Sequence, residues 1–516
     1  MTNKQTITID GEHLTLADVQ HAASGTAYVQ LASSARAKVA KSHAWVADIV
    51  AKGKPVYGIN TGFGIFSDKQ ISPEDAAKLN RNLILSHAVG TGPELPEAAV
   101  RAAMLIRANT LAGGFSGARV ELVETLIGML NKGVTPCIPS QGSLGSSGDL
   151  APLTHMALVL TTDENDREED SGWAIYEGKR ERGKSAMQAA SIPRLILGPK
   201  EGLAITNGAT FSAALAALTI NLAAILLDGA ELAAAMSLEA LLGASAAFDP
   251  RLHEARRQRG QMQVAANMRK LFAGSTLIDA AGRVQDVYSL RCAPQVQGPA
   301  RDALEYVREI ITQEINAATD NPLLFGPEET ISGGNFHGEP VGIAMDFLKI
   351  ALSEIAAISE RRTYHLLDAR MNEGLPPMLV TNAEAAGLNS GMMLLQYTAA
   401  SLVLENQALA GPDSVHSLPT SAGKEDHNAN AMTAARKAWQ VANNAAHVLA
   451  VELTCAVRAL DLRLKEMPKL HPGKGTSGAH KRIRASIPFQ EGDALWGPEI
   501  EKMREMLINR ELETRD

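Results

Sequence analysis

Aromatic residues and cysteines are scarce in this sequence. Aromatic side chains make up 4% of the 516 residues, and the only three cysteines, Cys137, Cys292 and Cys455, are far apart. An odd and scattered set of cysteines indicates neither a disulfide framework nor a zinc site. We therefore predict a cytoplasmic protein without a bound metal. Apolar residues make up 45% of the chain, which is ample for a large buried core.

An excess of positive charge is also missing. The chain has 49 Lys and Arg against 57 Asp and Glu, which gives a formal net charge of -8 at pH 7. Nucleic acids and anionic membranes attract proteins with a basic face, so we expect neither as a partner and predict a small-molecule substrate. The N-terminal stretch MTNKQTITIDGEHLTLADVQ lacks the basic residues and apolar run of a secretory signal.

One uncharged stretch is long enough to cross a membrane. Gly208–Leu227, GATFSAALAALTINLAAILL, has 20 residues without a charge, and seven of them are alanine. Four others are Thr, Ser or Asn, no basic cluster flanks the stretch, and Asp228 and Glu231 follow at once. This composition predicts a buried helix of a bundle rather than a membrane span.

The sequence predicts a mainly α-helical protein. Ala, Leu, Glu and Lys dominate, and helical periodicity recurs in Pro73–Leu130, Thr206–Ala247, Arg301–Ala318, Pro340–Leu367, Leu388–Ala410 and Ala431–Leu464. Strand signals are short, at Thr6–Ile9 and Trp173–Tyr176, and the charged stretch Asp163–Lys184 is expected to form an exposed hairpin or loop. We expect a loop-rich N-terminal region (1–205), a central bundle of long helices (206–464) and a C-terminal helical tail (465–516).

The stretch QGSLGSSGDLAPLTHMALVL, residues 141–160, places much bare backbone before a helix. No Gly-Lys-Ser/Thr follows, which excludes a phosphate loop. A nucleophilic serine with His87 or His155 as base is an alternative, but neither Ser146 nor Ser147 has glycine two residues away on both sides. Backbone chemistry is favoured instead, because a tight turn can drive the unhindered Gly148 nitrogen onto the Ser146 carbonyl. Loss of water from the ring and from Ser147 would leave a methylidene-imidazolone, a strong electrophile.

Eight motifs, in order along nearly the whole chain, resemble the aromatic amino-acid ammonia-lyase family. They are VYGINTGFG, SSGDLAPL, EGLAITNG, VQDVYSLRCAPQV, TDNPL, SGGNFHGEP, GLNSG and SLPTSAGKEDH. The resemblance implies a long-helix bundle subunit of the ammonia-lyase/fumarase-like type and a homotetramer whose active sites are each built from three chains. Within the family, the stretches SHA and EDH are similar to the enzymes that convert L-histidine to trans-urocanate.

The resemblance also implies roles for individual residues. Ser146, Ser147 and Gly148 would condense autocatalytically into 4-methylidene-imidazol-5-one (MIO), so that no dissociable cofactor is needed. The other implied roles are catalysis by Tyr57, Tyr288 and Glu425, support of the ring by Asn207 and Phe336, and substrate binding by His87, Gln285, Arg291 and Asn321.

The implied roles of Tyr57, Arg291 and Glu425, and the position of Asp149, lead to expectations about charge. Tyr57 is the implied base, and a phenol with an ordinary pKa of about 10 needs nearby positive potential to lower that pKa. Asp149 is a plausible N-cap of the following helix, whose positive end would make the ring more electron-poor. Arg291 can bind a carboxylate in bidentate fashion. Glu425 facing an imidazole would disfavour a substrate with an apolar ring.

The chain also departs from the family's usual pattern. Serine stands at position 146 where the triad is usually Ala-Ser-Gly, NGAT stands in place of Asn-Gly-Thr-Gln, and Gly423 and Lys424 replace a common Asn-Gln. Two other substrates therefore remain open: another aromatic amino acid, or a histidine betaine that loses trimethylamine without MIO. A catalytically silent scaffold on the same fold is the third alternative.

Overall fold

The computed structural model describes residues 4–381 and 386–513, which form two compact units. The first unit contains the described residues up to Leu218, together with Arg308–Asp346 and Pro412–Arg436. The second contains Thr219–Val307, Phe347–Gly411 and the described residues from Lys437 onwards. The three regions expected from the sequence, with boundaries at residues 205 and 464, stay a prediction.

The protein is mainly α-helical, as predicted. The α-helices of the described residues are α1 (Leu16–Ala23), α2 (Ser33–Lys52), α3 (Ala76–His87), α4 (Glu97–Ala112), α5 (Val120–Lys132), α6 (Leu150–Leu160), α7 (Gly183–Ala189), α8 (Glu201–Thr206), α9 (Thr210–Ala240), α10 (Pro250–Arg256), α11 (Arg259–Leu271), α12 (Tyr288–Arg291), α13 (Ala293–Glu314), α14 (Glu339–Leu367), α15 (Met393–Leu409), α16 (Ala431–Glu466), α17 (Lys474–Ser486) and α18 (Trp496–Ile508). Five of the six predicted helical segments are each dominated by one long helix: α9, α13, α14, α15 or α16.

The sixth predicted segment, Pro73–Leu130, is divided into α3, α4 and α5. Pro93 and Pro96 lie between α3 and α4, where proline cannot donate a helical hydrogen bond. Gly113 and Gly114 follow α4, and Gly114 has a φ of 79°, which ends helical geometry. The helical spacing of apolar residues therefore continues across these turns, although the chain forms three separate helices.

Strands are short and all lie in the first unit within the part of the chain that the structure describes. They are β1 (Gln5–Ile9), β2 (Ala27–Leu31), β3 (Thr91–Glu94), β4 (Thr135–Pro136), β5 (Pro139–Gln141), β6 (Thr161–Thr162), β7 (Trp173–Tyr176), β8 (Lys179–Arg182), β9 (Leu195–Ile196), β10 (Leu323–Leu324) and β11 (Thr330–Ile331). β1 pairs with β2 and β6 with β9 in parallel, and the β3–β5, β4–β7, β7–β8 and β10–β11 pairs are antiparallel.

Both predicted strands form, and β7 and β8 make the hairpin expected within residues 163–184. The acidic residues before this hairpin are not only a solvated surface. Asp166 forms an ion pair with Arg194, whose side chain is 5% exposed. Part of the charged stretch is therefore bound to the protein's interior.

The uncharged stretch of the sequence lies in α9. This helix is long and apolar enough to cross a membrane by length and composition alone, but 83% of its most apolar window is buried inside the protein. A helix that is apolar on all sides and buried belongs to a protein core. This agrees with the alanine-rich composition of the stretch.

Four helices have their N-terminal ends in the first unit, around residues 144–148. α6 starts at Leu150, and the residue preceding α14, Gly338, donates its backbone N–H to the Gly145 carbonyl over 2.8 Å. Asn430, just before α16, donates in the same way to Leu144 over 2.7 Å. Gly208, two residues before α9, forms a bridge with Gly148. Helix N-termini carry partial positive charge, so these four helix ends contribute positive potential at this segment.

Candidate active site

The Ser146–Gly148 turn lies between β5 and α6 and is packed against a second glycine. Gly148 has a φ of 74°, in the left-handed region that glycine tolerates. A Cβ atom added to Gly148 would lie 2.1 Å from the backbone carbon of Gly208. The neighbouring Asp149 donates its backbone N–H to the Gly208 carbonyl over 2.8 Å. Glycine is therefore required at position 148 both by the positive φ and by the close approach of the Gly208 backbone.

Asp149 stands at the N-cap position of α6, as predicted, but its side chain makes no capping bond there. The carboxylate instead accepts hydrogen bonds from the Ser143 hydroxyl at 2.8 Å and from the Ser212 backbone N–H at 2.8 Å. Ser212 lies in the first turn of α9. Burial raises the pKa of Asp149, while these hydrogen bonds oppose the rise. Its side chain therefore joins the turn to the start of α9 rather than capping α6.

Asn207 contacts the carbonyl at the centre of the turn. Its Nδ2 donates to the Ser147 carbonyl oxygen over 2.8 Å, and the residue is 3% exposed. Its Oδ1 is buried without a hydrogen-bond partner among the described residues. If Gly148 N closed onto Ser146, the Ser147 carbonyl would become the ring carbonyl, so the Asn207 amide would donate its hydrogen bond to the ring.

Both serine hydroxyls of the turn are bound by the segment of residues 417–430. Ser147 Oγ donates to Glu425 Oε1 over 2.8 Å, and Asn428 Nδ2 donates to Ser146 Oγ over 2.7 Å. Glu425 is half-buried, whereas Asn428 is 1% exposed. Asn428 belongs to none of the motifs recognised in the sequence, although it lies only three residues after Glu425.

The electrostatic environment of Tyr57 contradicts the expectation from the sequence. Burial raises the pKa of Tyr57, and the carboxylates of Glu425 and Asp320 raise it further, while a hydrogen bond with the Gly64 backbone opposes the rise. We expected nearby positive potential to lower this pKa. The charged groups that act on Tyr57 within the described chain are carboxylates, so the phenol stays protonated there.

His87 lies at the end of α3, with its Nδ1 2.9 Å from the Ser86 hydroxyl. Burial lowers the pKa of His87, while a hydrogen bond with the Leu83 backbone and the Glu425 carboxylate act in the opposite direction. The imidazole is therefore favoured in its neutral form, in which one ring nitrogen donates and the other accepts.

Asn321 supports the loop that carries Phe336. The Asn321 Nδ2 donates to the Ser332 hydroxyl over 3.2 Å, and its Oδ1 accepts the Gly333 backbone N–H over 2.7 Å. Asn321 is buried and Phe336 is half-buried. One amide hydrogen of Asn321 thus remains for another partner, while its oxygen already binds the loop.

Eight of the predicted site residues line one cleft of about 1380 Å³ in the first unit. They are Tyr57, His87, Ser146, Ser147, Asn207, Asn321, Phe336 and Glu425. Lys424, His337 and His427 line it as well. The cleft exceeds the 300–1,000 Å³ typical of small-molecule sites, which leaves room for further groups.

Three predicted residues belong to the second unit and are not among the described residues that line this cleft: Gln285, Tyr288 and Arg291. Tyr288 and Arg291 share the short helix α12, where the guanidinium carbon lies 4.6 Å from the centre of the tyrosine ring. Arg291 Nε donates to the Asp286 carbonyl over 2.9 Å. Tyr288 is 72% exposed, and Gln285 is also exposed.

A buried charged group behind the turn was not predicted. Arg107 is fully buried, donates to the Thr210 hydroxyl, and would lie 2.7 Å from a Cβ added to Gly208. Burial raises the pKa of Glu314 to about 7, with Asp149 adding to the rise and Arg107 opposing it. These residues are far apart in sequence and belong to no short motif, so only the fold brings them together.

Comparison with known proteins identifies the family of this chain. The sequence model of the family "Aromatic amino acid lyase" matches residues 14–485. The chain is 50% identical over 494 residues to histidine ammonia-lyase of Caldanaerobacter subterraneus, covering 95% of this chain and 94% of that one. The solved structure of histidine ammonia-lyase from Trypanosoma cruzi has a TM-score of 0.89 and 35% identity, covering 98% of this chain and 94% of that one.

The ergothioneine-degrading enzyme ergothionase from Treponema denticola is also similar in structure, with a TM-score of 0.89 and 30% identity. That comparison covers 98% of this chain and 99% of the other. Family model, sequence identity and fold thus agree over nearly the whole length: the chain belongs to the aromatic amino acid lyase family.

Proposed function

We propose that this protein is a carbon–nitrogen lyase that removes ammonia from L-histidine without oxidation and releases trans-urocanate. The observation that carries the proposal is the Glu425 carboxylate, which lies 2.8 Å from the hydroxyl of Ser147 in a cleft that His87 also lines. A carboxylate and an imidazole beside the reacting turn suit a substrate whose ring both donates and accepts hydrogen bonds. The high identity to histidine ammonia-lyases supports the same substrate.

We infer that Ser146, Ser147 and Gly148 form MIO, a group that the family uses. The left-handed Gly148, the Gly208 contact and the Asn207 amide at the Ser147 carbonyl fit such a ring. When formed, the group supplies an electrophile towards the substrate's amine. Helix N-termini around the turn favour electron density on the adjoining carbonyl, which Asn207 holds by its hydrogen bond.

Tyr57 is the proposed base that takes the β-hydrogen of the substrate. Because burial and two carboxylates raise the pKa of Tyr57 in the isolated chain, a cation must come close to the phenol before the phenolate can form at working pH. Arg291 supplies this charge in our proposal and also binds the substrate's carboxylate in bidentate fashion. Gln285, Tyr288 and Asn321 add hydrogen bonds to the substrate.

Glu425 and His87 select the imidazole ring. A carboxylate facing an imidazole nitrogen makes a charge-assisted hydrogen bond. A phenyl ring cannot make this bond and would leave the Glu425 carboxylate desolvated and unpaired, which disfavours binding. Phe336 packs beside the reacting ring in this arrangement.

We further propose a cytoplasmic homotetramer with shared active sites. Gln285 and Tyr288 are exposed in the single chain, and these two residues and Arg291 lie outside the described lining of the cleft around Tyr57. Residues of one subunit would therefore complete the cleft of another, a common consequence of closed symmetric assembly.

Elimination of trimethylamine from a histidine betaine is the second candidate. It is favoured by Ser146 at the usual alanine position and by the exposed Lys424, which lines the cleft beside Glu425. The similarity to ergothionase, at 30% identity, is compatible with it.

Intact-protein mass and a substrate panel test these functions. Ring formation removes two waters, about 36 Da, and turnover of L-histidine produces the near-ultraviolet absorbance of urocanate. We expect the mass loss and rapid turnover of L-histidine relative to its betaine, phenylalanine and tyrosine. An unshifted mass together with preferred turnover of the betaine would replace the first proposal by the second.

A further inference from the structure

The 417–430 segment contacts residues 144–147 at three points. The Asn430 backbone N–H donates to the Leu144 carbonyl over 2.7 Å. The other two contacts are those of Asn428 with Ser146 and of Glu425 with Ser147. The segment that carries the proposed imidazole-binding carboxylate is thus hydrogen-bonded to Ser146 and Ser147, two of the residues that form the ring.

The orientation of the Asn428 amide is fixed by the segment itself. Its Oδ1 accepts the Leu418 backbone N–H over 3.0 Å, and its own backbone N–H donates to the Ser417 hydroxyl over 2.9 Å. Since the oxygen end must face an N–H donor, the nitrogen end must face Ser146. Asn428 and Ser146 are 1% and 4% exposed, so water does not compete for this hydrogen bond.

Ring formation affects the two serine contacts differently. In the proposed condensation, Gly148 N bonds to the Ser146 carbonyl carbon, and that carbonyl oxygen leaves as water with the hydrogens of the Gly148 and Ser147 nitrogens. Ser147 Oγ then leaves as a second water with the Ser147 α-hydrogen. The Glu425–Ser147 bond therefore ends with the second step. The Ser146 side chain takes no part, so the Asn428–Ser146 bond survives.

We propose that Ser146 and Asn428 are a matched pair of positioning residues that holds the 417–430 segment, and with it the Glu425 carboxylate, over the mature ring. The inference rests on the proposed function, because it assigns the pair a role in placing Glu425 for the substrate. It also accounts for the serine at position 146: the hydroxyl accepts a buried amide N–H that alanine would leave without a partner.

A double-mutant cycle with Ser146→Ala and Asn428→Leu tests the pair. The fraction of cyclised subunits is measured by intact mass, and kcat and KM for L-histidine are expressed per cyclised subunit. We expect each single variant to lower kcat/KM about tenfold, mainly through KM, and the double variant to lose about the same tenfold rather than a hundredfold. A purely structural role would lower the yield of cyclised protein and leave KM unchanged.

Asn109→Leu is the matched control, because Asn109 is a fully buried amide of the same unit that bonds the Gly11 N–H and the Ile315 carbonyl. We expect it to lower the unfolding temperature without raising KM. A single Ser146→Ala variant with wild-type KM, or losses that multiply in the double variant, would overturn the pairing.

Hydrogen exchange separates this proposal from the proposed function. In Ser146→Ala, backbone amides of the 417–430 segment should exchange faster than in the wild type, whatever the substrate is. Unchanged exchange there contradicts the pair even in an active enzyme. A wild-type protein that neither loses two waters nor converts histidine contradicts the proposed function, and faster exchange in the variant would still support the pair's hold on the segment.

Discussion

The Glu425 carboxylate accepts a hydrogen bond from the Ser147 hydroxyl over 2.8 Å, although the two residues are 278 positions apart in the chain. One carboxylate thus touches the reacting turn from a segment that enters the first unit late in the sequence. In the proposed function, the Glu425 side chain therefore both contacts the turn and binds the substrate ring.

Replacing Glu425 by glutamine should reduce histidine turnover far more than stability. The amide keeps the side chain's shape but loses the charge that strengthens its bond to an imidazole N–H, so kcat/KM should fall about tenfold or more. Steady-state kinetics and thermal unfolding measure the two effects. Glu329→Gln, at an exposed position of the same unit, is the control. Equal turnover by Glu425→Gln and the wild type would exclude the assigned role.

Replacing Gly148 by alanine should prevent the loss of two waters. The new Cβ would meet the Gly208 backbone at 2.1 Å, and the φ of 74° would be strained as well. Gly133→Ala separates these causes, because Gly133 has a φ of 79° and nothing within 4 Å of an added Cβ. The control should lose about 1 kcal/mol of stability and still cyclise. A cyclised Gly148→Ala protein would disprove the steric requirement.

Glu314 should make the protein less stable as the pH rises. Burial raises its pKa from 4.5 to about 7, so the folded state binds more protons than the unfolded state between those values. The free energy of unfolding should therefore fall across this window, by about 3 kcal/mol for this group. Glu314→Gln should flatten the decline in denaturant titrations at several pH values. Glu309→Gln, at an exposed position of α13, controls for the loss of one charge. An unchanged slope in Glu314→Gln would contradict the assignment.

Mixed tetramers test whether subunits share sites. Tyr57→Phe and Arg291→Ala subunits should each be nearly inactive alone, since one lacks the base and the other lacks the carboxylate-binding cation. Random reassembly of equal amounts should restore about a quarter of wild-type activity, because a quarter of the composite sites receive both intact residues. Enzymatic activity is measured after the two variants are refolded together, and each variant refolded alone is the control. No recovery in the mixture, with tetramers formed, would show that both residues serve one chain's own site.

The sequence predicts the long helices well, because periodicity and composition are local properties. It also identifies Tyr57, His87, Asn207 and Glu425 as a group, and these residues meet in one cleft. The order of the family motifs along the chain identifies these residues as one site, and the elimination reaction explains why such side chains are needed together.

Other features depend on contacts that no local pattern reveals. Asn428 becomes important only because it meets Ser146, and Glu314 only because burial places it near Arg107 and Asp149. The expected lowering of the Tyr57 pKa does not occur within the single chain for the same reason: the charged groups that act on Tyr57 there are carboxylates, which a linear motif does not indicate.

The contacts of the Ser146–Gly148 turn have a consequence for when the enzyme becomes reactive. The turn and the two residues before it contact Gly208, Gly338, Asn428 and Asn430, which a ribosome adds after the turn itself. A nascent or truncated polypeptide therefore lacks the surroundings that compress the backbone for condensation. Under the proposed function, unfinished chains carry three ordinary residues, and an electrophile able to modify cellular amines arises only inside a nearly completed fold.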